Sequence, residues 1–162
     1  MRKLAYAALL SVLLCCTAAA QKYSSGKGPV SAHVDASASI IKLVLTSHFT
    51  SRGYQIDSES DSQIAFSHEI DGSGLATQLQ LGNEHFDEPR HVIYFTLAAN
   101  GPQTVLTGRH EIVVRMALGN VTRISLDVGK NRDPMVEAID DIRRASEVRE
   151  AVTRALEDSK QR

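Results

Sequence analysis

Tryptophan is absent from this sequence, aromatic residues make up only 5% of it, and both of its cysteines, Cys15 and Cys16, fall close to the start. Without tryptophan the broad aromatic platforms that sugars stack on are missing, and a base-stacking surface for single-stranded nucleic acid has too few rings to form. The 18 basic and 19 acidic residues are interspersed, so no one-signed basic stripe exists for a phosphate backbone to follow. Nucleic acid is therefore not an expected partner. No segment beyond the first twenty residues is apolar enough to span a membrane, which takes roughly 20 consecutive apolar residues.

Familiar catalytic signatures are missing as well. A serine hydrolase of the nucleophile-elbow type needs Gly-x-Ser-x-Gly, and the nearest stretch, Asp71-Gly72-Ser73-Gly74, reads instead as a hairpin turn. Gly26-Lys27-Gly28 does not complete a phosphate-binding loop. His110-Glu111 begins like a zinc-protease helix, but the second histidine that motif requires four residues after the first is replaced by Val114.

What the chain does have is a leader. Arg2 and Lys3 precede a thirteen-residue apolar run, residues 4–16, and Ala18-Ala19-Ala20 offers a small-residue cleavage pattern with Gln21 as the next residue. Residues 1–20 are accordingly expected to be a signal peptide, directing export to a periplasm or the secretory space. Cleavage there leaves a chain with no cysteine and a formal charge shifted from −1 to −3, so stability must come from packing alone. The alternatives are a lipoprotein acylated at Cys15 or Cys16, although Leu14 or Cys15 then stands where a small residue is usual, and an uncleaved leader that stays in the membrane.

Residues 21–36, rich in Ser, Gly, Lys and Ala, read as a flexible linker, and residues 37–158 as one domain. Ile40, Ile41, Val44, Leu45 and Phe49 recur at helical spacing, with Asp35, Ser37 or Ser39 to cap and Gly53 to terminate. The period then changes to two: Tyr54 and Ile56, then Ile64, Phe66, His68 and Ile70, then Leu75, Thr77, Leu79 and Leu81. Residues 91–97 alternate apolar residues on both faces and are expected at the sheet centre. Asn100-Gly101-Pro102 predicts a turn, residues 105–116 a long strand bulged near Gly108, and residues 121–128 a last strand after Gly119-Asn120. Asp133 and Pro134 open a final helix whose apolar stripe runs through Met135, Ile139, Ile142, Val148, Val152 and Leu156. The expected fold is α+β: a two-layer sandwich with an antiparallel sheet of about six strands, flanked in sequence by an N-terminal and a C-terminal helix.

The densest polar cluster is Glu84, His85, Asp87, Glu88 and His91. Neutral imidazoles and carboxylates are ordinary ligands of divalent metals, which makes His85, Asp87, Glu88 and His91 the candidate metal ligands, against the plain reading of a solvated loop. His68 is expected at a strand edge or partly buried, and His48 at a helix boundary. No catalytic residue and no cofactor is expected. The leading expectation is a non-enzymatic binding or accessory protein of the cell envelope or secretory space, whose partner is another protein of that compartment and which meets the membrane only through a lipid anchor or retained leader. The alternative is a metal-dependent ligand binder or enzyme using the 84–91 loop. A third reading, a small apolar ligand between helices and sheet, requires a sizeable pocket there.

Overall fold

Two long strands, β4 (Phe86–Asn100) and β5 (Gln103–Met116), fold back on each other through the Asn100-Gly101-Pro102 turn and form the spine of the structure. Gly101 takes the positive φ of 60° that the first position of a tight two-residue loop demands, and Pro102 fixes the second. The computed structural model describes residues 28–71, 86–116 and 119–161. The leader with Cys15 and Cys16, most of the expected linker and the expected strand at residues 75–81 lie outside the described residues.

The remaining strands attach antiparallel to the spine. β3 (Gln63–Glu69) pairs with β4, and β2 (Gln55–Ser60) pairs with β3 through a bulge between Ile56 and Ser58. β1 (Val30–Val34) and β6 (Val121–Ser125) lie in succession along the other side of β5. The path is β1-β5-β4-β3-β2, so β4 takes the central place its sequence suggested. This is the six-stranded α+β architecture expected, with three revisions. Part of the presumed linker is β1, because Val30, Ala32 and Val34 alternate with polar residues and bury one face. The last strand stops at Ser125, short of residue 128. No bulge occurs at Gly108, where the register runs straight; the slip lies between Asp87 and Arg90.

Both helices pack on the same sheet face. Helix α1 (Ala38–Thr50) buries Ile41, Val44, Leu45 and Phe49, and Gly53 at φ 84° turns the chain out of it. Ser37 is its N-cap residue, yet its side chain makes no cap bond: its hydroxyl and its backbone N–H both donate to Glu150 of the second helix, each at 3.1 Å. A short 3-10 turn (Gly129–Arg132) leads into helix α2 (Asp133–Lys160), with Pro134 in the first turn. Here the expected apolar stripe divides. Met135, Ile139 and Ile142 are buried, whereas Val148, Val152 and Leu156 are exposed, in a helix whose 28 residues span about 42 Å.

The core lies between the layers. Phe49, Phe66 and Phe95 meet at its centre, with Phe49 5.0 Å from Phe66 and 5.3 Å from Phe95 between ring centroids. Each such ring contributes about 1.5–3 kcal/mol through burial. Gly108 earns its place by proximity rather than conformation, since a Cβ there would stand 2.7 Å from Met135 Sδ and 2.9 Å from Ile139 Cδ1. The missing side chain is what lets α2 settle on β5.

Candidate functional site

Of the four residues singled out as metal ligands, the structure places one side chain. His85 lies outside the described residues, and Asp87 and Glu88 belong to the stretch of β4 where the register with β5 slips. His91 shares the helix-facing side of β4 with Ile93 and Phe95. Its Nδ1 is 2.7 Å from the Tyr54 hydroxyl and its Nε2 is 3.1 Å from His110 Nδ1, so both ring nitrogens already have protein partners. Among the described residues no three His, Cys, Asp or Glu side chains converge as a metal-holding group.

The protons in this chain can be ordered from its chemistry. Burial raises the Tyr54 pKa, so the hydroxyl keeps its proton and donates to His91 Nδ1. His91 then carries its own proton on Nε2 and donates to His110 Nδ1, leaving the His110 proton on Nε2. That Nε2 is fully buried, 3.9 Å from Asp127 Oδ1, and the backbone of Asn131 and Leu126 beside it favours the protonated ring. Asp127 Oδ1 instead accepts the His110 backbone N–H at 3.0 Å. Burial, helped by His110 and His68, pushes the His91 pKa down to about 4. Burial also lowers His110, against an upward pull from Asp127. Both imidazoles are thus neutral near pH 7, and the chain ties the end of α1, the sheet and the β6–α2 connection together.

Beside it, His48, Phe49, Met135 and Ala138 help to line a cavity of about 180 Å³. Ligand pockets usually span about 300–1,000 Å³, and the neighbouring interior is filled by the three phenylalanines. Among the described residues, the cavity between helices and sheet is too small for a sizeable apolar ligand. His48 sits at the helix boundary, as expected, while His68 is exposed, its Nδ1 3.1 Å from the Gly53 carbonyl.

The larger cavity is on the opposite side. Among the described residues no element covers the outer sheet face, where a cleft of about 460 Å³ opens over β3 to β6. Val92, Val113 and Val121 line it together with Arg90, Arg115, Arg123, Tyr94 and Asp57. Arg109 lies 4.6 Å over the Tyr94 ring, and the Tyr94 hydroxyl donates to Glu111 at 2.9 Å. Arg123 reaches both the Tyr94 oxygen and the Glu111 carboxylate. This face is the candidate site.

No protein-family model matches the chain, and no curated protein matches it.

Sequence reasoning missed Tyr54, His110 and Asp127 as members of one chain, and it passed over the arginines. A signal for the first was present. The two-residue turn at Gly101-Pro102 sets Ile93 opposite His110, which brings His91 diagonally beside it on the buried face. The arginines were equally legible, since Arg109 and Arg115 alternate with the inward Gly108, His110 and Val114 and must point outward.

Proposed function

We propose that this chain is a non-enzymatic binding protein, exported by its leader to the cell envelope or secretory space, which holds a partner protein against the outer face of its sheet. The observation that carries the reading is the asymmetry of the two layers. Both helices and the phenylalanine core occupy one side, and the other side presents strands β2 to β6 with a cleft of about 460 Å³. A mixed polar and apolar surface spread over five strands suits a macromolecular partner better than a reaction that needs water excluded.

The test is site-specific cross-linking. A photo-reactive amino acid placed at Thr96 or Val121, both exposed on the outer face, is expected to give one adduct of defined mass in the native host. The same group at Glu137 or Arg144, exposed on α2, is expected to give none. Equal adducts from both sides, or none from the outer face, refute the proposal. Intact-mass measurement on fractionated cells tests export separately: a chain starting at Gln21, or acylated at Cys15 or Cys16, supports it, and a full-length cytosolic chain refutes it.

A further inference from the structure

Within the outer cleft, three arginines from three adjacent strands surround one valine. Arg90 on β4 and Arg123 on β6 each stand opposite Val113 of β5, one on either side, and Arg115 follows two residues along β5 on the same face. Val92 and Val121 extend the apolar floor. The lining carries three guanidinium groups and Asp57, and two of the three reach carboxylates just outside it, Arg123 to Glu111 and Arg90 to Glu69.

The three are differently engaged. Arg123 is held by Glu111 and Tyr94, and Arg90 is 3.7 Å from Glu69 while its side chain stays 42% exposed. Arg115 is exposed and stands directly opposite Asp87 of β4 across the β4–β5 pairing. Three guanidinium groups gathered around an apolar floor, with Arg115 exposed among them, form a receptor for carboxylate. The planar guanidinium fork takes a carboxylate two bonds at a time, and clusters of arginine are a recurrent means of reading acidic segments.

We infer that this cleft grips an acidic, extended segment of the partner protein, with carboxylates of that segment seated on Arg90, Arg115 and Arg123. The inference rests on the outer face being the binding surface. Carboxylates on alternate residues of an extended chain project to one side about 7 Å apart, while side chains two strands apart in a sheet are separated by about 10 Å, a difference that flexible arginine and glutamate stems absorb.

The experiment uses the protein without its leader and an acetylated, amidated hexapeptide of alternating Glu and Thr, followed by amide NMR shifts. Saturable shifts are expected around Arg90, Val113, Arg115, Val121 and Arg123, with none around Ile41 or Ile139. Arg115→Ser is expected to weaken the peptide on the order of tenfold, and Arg90→Ser similarly, with the thermal midpoint unchanged because both side chains are exposed. Raising salt from about 50 mM to about 500 mM is expected to weaken it further. The inference is overturned if the matching Lys and Thr peptide binds as well, if Arg115→Ser leaves affinity unchanged, or if inorganic phosphate alone saturates the same amides at the same concentration. If the acidic peptide fails while the outer-face cross-link forms, the acidic chemistry is wrong and the binding face stands; if both fail, both fall.

Discussion

Acid should loosen this protein well before its carboxylates protonate, and the buried histidine pair is the reason. His91 and His110 face each other at 3.1 Å through Nε2 and Nδ1, a contact that accommodates one proton and not two. In the unfolded chain His91 titrates near 6.5, whereas in the folded chain burial holds it down to about 4. Between those values the unfolded state binds a proton that the folded state refuses, so stability falls as pH falls. The contribution is intact above the unfolded pKa and is progressively lost below it. From about pH 7.5 to about pH 5 the His91 shift costs about 2 kcal/mol by linkage, with His110 acting in the same direction. Other charges near the pair are Asp127, packed against His110 from the β6–α2 connection, Arg52 and His48 at the end of α1, and His68 on β3. Glu150, whose pKa is lowered chiefly by the Ser37 backbone N–H, loses its contribution only at more acid pH. The assay is urea unfolding by far-UV circular dichroism across this pH range, on the wild type and on His91→Gln, whose amide does not titrate. The variant is expected to be less stable near neutrality but to lose about 2 kcal/mol less on acidification. A wild type indifferent to pH over this interval, or a variant with an unchanged slope, refutes the account.

Three further outcomes follow from packing. Gly108→Ala is expected to destabilise by about 1–2 kcal/mol through its contacts with Met135, Ile139 and Phe95, and Met135→Ala in the same chain should recover part of that loss in denaturation measurements. Asp127→Ala strips the acceptor from the buried His110 N–H and should cost about 1–3 kcal/mol, while an NMR titration should show His110 harder still to protonate. Leu156→Ser should shift stability by no more than about 0.5 kcal/mol in the same measurements, since that side chain is 57% exposed.

The elements were legible wherever hydrophobic period and turn chemistry agreed. Both helices, the spine hairpin and the central position of β4 follow from Phe49 with Leu45, from Asn100-Gly101-Pro102 and from the apolar run of 91–97. Errors arose where local pattern meets a tertiary limit. Val148, Val152 and Leu156 continue the periodicity of Met135 and Ile139 but stay exposed, Val148 at the edge of α1 beside Val44 and Ser47. Val30–Val34 is short and follows a Gly- and Ser-rich stretch, so only its docking on β5 reveals it as a strand. The histidine cluster was sought in the loop, where residue types are dense, whereas His91 finds its partners across the β4–β5 pairing. Composition gives residue types, and register gives neighbours.

Among the described residues β2 forms one edge of the sheet and limits how it can grow. All six of its residues, Gln55–Ser60, are exposed, two are acidic, and the bulge between Ile56 and Ser58 breaks the even row of backbone donors and acceptors. Lys42 reaches from α1 to the Ser60 carbonyl and lies 3.5 Å from Glu59, placing a cation over the strand's end. A second molecule arriving side-on meets charge and misalignment instead of a template, which protects a crowded population from stacking into fibrils.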